Sequence, residues 1–212
     1  MKSFTRFFFT LLFAVSATAY AQDVSVMVDP ARSTVQFTLG DVLHTVRGTF
    51  RVKNGVVRLN PTDGTASGQI VVDARSGSSG SGMRDRRMHN DILQSDRYPD
   101  ATFSPDRVTG RLSMEGESQV DVHGVLRIHG QDHEVTLPAK VKFENGQITA
   151  KASFTMPYVD WGMKNPSNFV LKVSDKVDLA MSLTGNIQVG GGPASPAAVD
   201  RRNRPSLHPL SL

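Results

Sequence analysis

The 212-residue chain contains no cysteine. That absence excludes disulfides, thiol nucleophiles and every cysteine-ligated zinc or iron–sulfur site. No apolar run approaches the roughly 18 residues that a membrane-crossing helix needs. G-x-S-x-G, the turn that exposes a hydrolase serine, is missing, and so are H-E-x-x-H and H-x-H. There is no internal repeat. Charge is scarce where it would matter. The formal net charge is +4, but Lys2 and Arg6 supply two units, and Arg201, Arg202 and Arg204 against Asp200 supply the other two. The body between them is neutral, so no nucleic-acid partner is expected despite a sequence pI near 9.6.

The two ends have their own character. Lys2 and Arg6 precede the apolar stretch Phe7–Val15, and Ala19-Tyr20-Ala21 offers an A-x-A cleavage site. Residues 1–21 therefore read as a secretory signal peptide, which predicts a periplasmic protein. With no cysteine at the cut, no lipoprotein anchor is expected. Residues 190–212 are rich in Gly, Pro and Ala without apolar period, and read as a flexible basic tail. Residues 22–189 remain as one domain, long enough to bury one core.

That body is written in strands. Val35, Phe37 and Leu39 alternate with polar residues, and so do Val46, Gly48, Phe50 and Val52. Asn54-Gly55 then predicts a two-residue hairpin turn, returning through Val56–Leu59. Ile70 and Val72 alternate next, followed by S-G-S-S-G-S-G, a hinge-like lead into a helix. Short strand pieces flank Pro105. Val120, Val122, Leu126 and Ile128 share one face with Gly124, while Asp121, His123, Arg127 and His129 share the other. Val135, Leu137, Val141 and Phe143 follow, then a second turn at Asn145-Gly146. Ile148 to Met156 and Val177 to Leu183 close the series, separated by a loop holding Tyr158 and Trp161, the single tryptophan. About eight strands, each with one apolar face and joined mostly by tight turns, predict an all-β, eight-stranded antiparallel up-and-down barrel. A sandwich is the competing architecture.

One helix interrupts the strands. Over Ser81–Leu93, Asp85, Met88, His89, Ile92 and Leu93 fall on one face, and Arg84, Arg87, Asn90 and Asp91 on the other. Ser81 is placed to cap it and Pro99 lies beyond its end. Asp85 and His89, four apart, are spaced to touch.

These residues resemble the YceI-like proteins. D-P-A-R-S-T-V-Q-F-T from Asp29 and V-R-G-T-F at Val46–Phe50 are similar to their opening, and S-G-Q-I-V-V-D at Ser67–Asp73 to their third strand. R-D-x-x-M-H from Arg84, running to Tyr98-Pro99 and A-T-F, resembles their central helix and the strand after it. D-V-H-G-V-L-R-I-H-G at Asp121–Gly130 with H-E-V-T-L from His133 resembles their fifth and sixth strands. The resemblance spans roughly Val26 to Val189. It implies a lipocalin-like barrel with an elongated apolar cavity, one short helix after the third strand, and an exported protein that binds polyisoprenoid or other long-chain amphiphilic lipids. Many members carry a basic residue late in the seventh strand. Here that region reads Phe154-Thr155-Met156-Pro157-Tyr158, and the resemblance supplies no head-group contact from it.

The candidate cavity wall is Phe37, Phe50, Leu126, Phe143, Ala152, Phe154, Met156 and Met181, with Met88 and Ile92 from the helix and Trp161 at the mouth. The small inward positions Gly48, Gly68, Gly124, Ala150 and Ala152 are expected to leave room. A filled barrel alternates in the same way, so a stress or interaction module without a cavity stays open. A hydrolase using Asp85 and His89, with Ser79, Ser81 or Ser95 nearby, is the third class, against which stands the lack of a nucleophile elbow. A structural hydrogen bond docking the helix is the plainer role for that pair. His44, His89, His123, His129 and His133 lack metal-ligand spacing. No metal, cofactor or catalytic residue is expected. The expected partner is a long-chain lipid or isoprenoid, with peripheral membrane contact left open.

Overall fold

The computed structural model describes residues 23–40, 45–167 and 172–189. The expected signal peptide, the tail and His44 lie outside them. Nine strands form one antiparallel sheet: β1 (Val24–Val28), β2 (Thr34–Gly40), β3 (Thr45–Leu59), β4 (Ala66–Ser78), β5 (Asp100–Thr109), β6 (Gly116–Ile128), β7 (Gln131–Glu144), β8 (Gln147–Met156) and β9 (Val177–Val189). From β3 to β9 each strand pairs with the next. β1 and β2 are two halves of one stave. β1 pairs with the far half of β3 (Val24 with Leu59) and of β9 (Val24 with Val189), and β2 with their near halves (Thr34 with Arg51 and Ser182). The sheet thus closes into an eight-stave barrel with no free edge.

The split stave was not expected, and it has a local cause. Pro30 carries no N–H for the ladder, so the chain makes a three-residue 3-10 turn, Pro30–Arg32, capped by Asp29, whose Oδ1 accepts from the Ala31 amide at 2.9 Å. Ser33 repairs the gap. Its buried Oγ accepts from the Thr184 amide at 3.0 Å and donates to the Thr184 carbonyl at 3.3 Å.

Asn54-Gly55 is not a turn. β3 runs straight through it, and neither residue has a positive φ, which a type I′ turn requires at both centres. Val52 pairs with Val72 and Asn54 with Val71, so Lys53 is the extra residue of a β-bulge. The bulge reverses the phase: inward positions are even up to Val52, and Val57 and Leu59 face inward after it. The chain turns at Asn60–Gly64 instead, where the Gly64 amide donates to the Asn60 carbonyl at 2.9 Å. Asn145-Gly146 does turn, with φ of 52° and 72°, and so does His129-Gly130 with 52° and 76°. His129 is therefore a turn residue and does not share the strand face of His123. The pieces around Pro105 are one strand, bulged between Pro105 and Arg107. The supposed hinge is also strand as far as Ser78.

The helix comprises an α-helical turn, α1 (Gly82–Arg87), running into a π-helical turn over Met88–Leu93, and ends at Gln94 in the left-handed conformation. It crosses the barrel end formed by the last residues of β4, β6 and β8. Phe37, Met156, Tyr158, Met163 and Val177 form a buried cluster at that end, and Val120, Ala139, Val141 and Phe143 a second cluster toward the other.

Candidate functional site

An apolar cavity of about 310 Å³ runs between the two clusters, at the small end of the range for ligand pockets. Of the side chains on its wall, only Thr102, Tyr158 and Thr184 carry a polar atom, and none is charged. The Tyr158 hydroxyl turns away, donating to the Ser174 carbonyl at 2.7 Å; burial first, then Asp175, pushes its pKa up to about 12. The wall is mainly hydrocarbon because alternation sends one face of every stave inward and that face is predominantly apolar. No large side chain in the described residues falls below 2% exposure. Leu126, Ile128, Phe154, Leu179, Met181 and Leu183 point into the barrel yet stay half-buried, because they face a void rather than one another.

Ten of the expected wall residues line this cavity: Phe37, Phe50, Met88, Ile92, Leu126, Phe143, Ala152, Phe154, Met156 and Met181. Trp161 does not. It stacks on the His133 ring, centroids 3.9 Å apart and 7° from parallel, and sits 6.0 Å from Phe154, outside the wall. The glycines do not make the room. A Cβ on Gly48 would lie 2.4 Å from the Phe37 ring, and one on Gly124 would lie 2.4 Å from the Ser104 carbonyl. These glycines permit close approach, and of the small residues named only Ala150 and Ala152 widen the space. Sequence reading missed Leu59, Leu112 and Met163 on the wall. For Leu59 the signal was present, but the bulge at Lys53 inverted it.

The helix closes one end through Met88, Ile92 and Leu93. Asp85 and His89 hold it there, but not through each other. Asp85 Oδ1 accepts from the Ser79 amide at 2.8 Å and its hydroxyl at 2.5 Å. The Ser79 hydroxyl is the main reason its carboxyl is held below the ordinary value. His89 Nε2 donates to the Gly77 carbonyl at 2.9 Å, and its Nδ1 is hydrogen-bonded to the buried Ser95 hydroxyl at 3.1 Å. Arg75 Nε adds a bond to the Ser95 carbonyl at 3.2 Å. The helix is thus tied to the end of β4 and to the turn that follows it. The expected Asp85–His89 hydrogen bond is absent because each side chain is bonded elsewhere, Asp85 to Ser79 and His89 to Gly77 and Ser95.

Near that end Tyr98 covers the His129-Gly130 turn, its ring 4.8 Å from the imidazole. The Nε2 atoms of His129 and His133 are buried without a hydrogen-bond partner, and burial lowers both pKa values. His123 lies outside, bonded to Asp106 at 2.7 Å. Among the described residues no three His, Asp or Glu side chains converge as metal ligands.

A closed eight-stave barrel with one short helix across an apolar interior defines the class. A model of the YceI-like domain matches residues 27–185, and the chain belongs to that family. A UPF0312 protein of Vibrio cholerae is 28% identical over 131 residues, 60% of this chain and 65% of its own length. A UPF0312 protein of Vibrio vulnificus is 26% identical over 133 residues, 61% of this chain and 68% of its own. The first match spans just under two thirds of that relative's length. Among solved structures, a polyisoprenoid binding domain from Saccharophagus degradans, implicated in plant cell wall breakdown, superposes with a TM-score of 0.62 at 20% identity, covering 77% of this chain and 98% of that one. BcnA of Burkholderia cenocepacia gives 0.62 at 21% identity, covering 74% and 98%. At these identities the likeness establishes the fold.

Proposed function

We propose that the barrel binds one long-chain apolar molecule, an isoprenoid or fatty-acyl amphiphile, and sequesters or carries it without chemical change. The observation that carries this reading is the cavity wall, in which no charged and only three polar side chains occur. Water is poorly served there, and a hydrocarbon chain is the natural occupant. Burying a few hundred Å² of tail at about 25 cal/mol per Å² gives several kcal/mol before association costs, so affinity comes from the apolar wall and grows with chain length. The structural relative that is a polyisoprenoid-binding domain supports this ligand class. Residues 1–21 have the pattern of an export signal, and we infer a periplasmic site of action.

Hydrolysis gains no support from the geometry. Ser95 does meet His89, but it is 3% exposed, and the second ring nitrogen is held by a backbone carbonyl rather than by Asp85. A buried hydroxyl of that kind does not reach a substrate. Native mass spectrometry of freshly purified protein, followed by organic extraction, tests the binding reading. A co-purifying or readily acquired lipid at one per chain is expected. Protein that neither carries nor takes up a long-chain lipid would overturn it.

A further inference from the structure

The helix that closes the cavity has a second face with no role inside the barrel. Its inner side carries Asp85, Met88, His89, Ile92 and Leu93, all partly buried. Its outer side carries Met83, Arg84, Arg86, Arg87, Asn90 and Asp91, all exposed. Met83 is 76% exposed, the highest value among the exposed large hydrophobic residues. An exposed methionine side chain gains from insertion into an acyl layer. The charge on this face is net positive, three arginines against the single carboxylate of Asp91. Arg87 lies 4.0 Å from Asp91, and Arg75 lies 4.0 Å from Asp96. Asp85 is turned inward onto Ser79. Arg84 bonds only Ser79, at 2.8 Å and 3.3 Å, and Arg97 lies 5.1 Å over the Tyr98 ring. Among the described residues Arg84, Arg86 and Arg97 have no carboxylate within ion-pair distance.

Resting on the lipid-binding reading, we propose that this outer face docks the barrel on an anionic membrane, with Met83 entering the acyl boundary and Arg84 and Arg86 meeting lipid phosphates. The patch and the cavity end are two sides of one helix twelve residues long, so docking sets the end of the cavity on the surface that supplies or receives the chain. The attachments that hold the helix suit such a task. It has no fully buried residue, and a Cβ placed on Gly80, just before it, or on Gly82, its first residue, would meet nothing within 4 Å. A basic surface flanking one exposed apolar residue has too little buried area to bind neutral lipid, so the complement is anionic lipid in particular.

The test is co-flotation of the purified protein with vesicles of phosphatidylglycerol and phosphatidylcholine, and with phosphatidylcholine alone. Binding to the anionic vesicles only is expected, weakening as salt rises from about 0.05 to 0.5 M because the Debye length shrinks from near the 10 Å scale to a few Å. Each arginine near a charged surface is worth about a fivefold change in affinity, so Arg86→Glu, which removes one positive charge and adds a negative one, should cost about 25-fold. Met83→Ser should cost less and leave the salt dependence intact. Neither residue lines the cavity, so both variants should hold a fluorescent long-chain fatty acid in solution as the parent does, while transferring it to anionic vesicles more slowly. A parent protein that ignores anionic vesicles, or an Arg86→Glu variant that binds them equally, overturns the docking face. Failure to hold the fatty acid at all would instead count against the cavity reading, and the two results are separate.

Discussion

Replacing Ala152 with phenylalanine separates a hollow barrel from a filled one by the sign of its effects. Ala152 lies in β8 on the cavity wall, between Ala139 of β7 and Met181 of β9. One of its two cross-strand partners is itself an alanine and it faces the cavity, so an added ring enters that space. A phenylalanine covers on the order of 150 Å² or more, and at ~25 cal/mol per Å² it withdraws about 4 kcal/mol of contact from a hydrocarbon lying along that wall. At 1.4 kcal/mol per decade, affinity for a long-chain ligand should fall several-hundred-fold, on the order of two to three decades. Folding should respond differently. In a filled interior the insertion would cost about 1–3 kcal/mol. Here the ring gains burial in the delipidated protein, so the thermal midpoint should hold or rise. The assay is titration of a fluorescent long-chain fatty acid into delipidated parent and variant, with circular dichroism for the midpoint. Undiminished binding would place the ligand elsewhere. A midpoint lowered by about 4 °C or more, equivalent to at least ~1 kcal/mol in a domain of this size, would mean that the interior was already full.

Three further outcomes are expected. His133→Phe keeps a ring on Trp161 but cannot titrate. Burial holds the His133 pKa below 6.5 in the folded state, so its contribution is full above about pH 6.5 and lost as pH falls from there toward the folded value. The variant should flatten that part of the midpoint–pH profile, and an unchanged slope would show that His133 is not the group responsible. Asp85→Asn should loosen the helix, raising amide exchange over residues 82–93. The depressed carboxyl makes its contribution present above the ordinary 3.8 and lost as pH falls through the lower folded value; parent and variant should therefore converge in acid, and divergence there would contradict the assignment. Gly77→Ala would place a Cβ 2.4 Å from the Phe50 ring and 2.7 Å from the Met88 methyl. The helix must shift, at about 1–3 kcal/mol, and an unaltered midpoint would show that the contact yields freely.

Counting by twos worked where the ladder is uninterrupted. β6, β7 and β8 pair from Gly116 to Ala152 without a register shift, and their inward residues are the ones alternation names. It failed at Asn54-Gly55 for a specific reason. A hairpin and a β-bulge both reverse the phase of an alternating pattern, and the pair Asn-Gly suits either. Only the partner strand decides, and β4 runs alongside β3 on both sides of the bulge. The five-residue β1 escaped notice because Pro30 parts it from β2 and because its partners, Leu59 and Val189, are far along the chain. The helix was legible from its 3.6-residue period. The partners of Asp85 and His89 were not, since spacing within a helix says nothing of Ser79, Gly77 and Ser95, which β4 and the following turn bring to it.

Whether such a barrel is hollow lies beyond alternation altogether, because the inward face is apolar in both cases. Side-chain size around the ring decides it. Eight staves fix a perimeter whose interior large residues can just fill. In this chain the bulky rings gather toward the helix end, as Phe37 against Phe50 at 5.4 Å and Phe154 beside Trp161. Farther along, Ala139 pairs directly with Ala152, and Ala150 lies two residues away on the same wall. Where that wall faces the void the lost contacts are a real cost, since a lining atom that faces a gap has no dispersion partner on that side. The closed hydrogen-bonded ring and the two packed clusters offset it. A hydrocarbon chain would restore the missing contacts, and because it binds the folded state alone it would also stabilise the fold by mass action. Occupancy and stability are then coupled through the same stretch of wall, which is why a ring at position 152 should relieve the barrel of its ligand without weakening it.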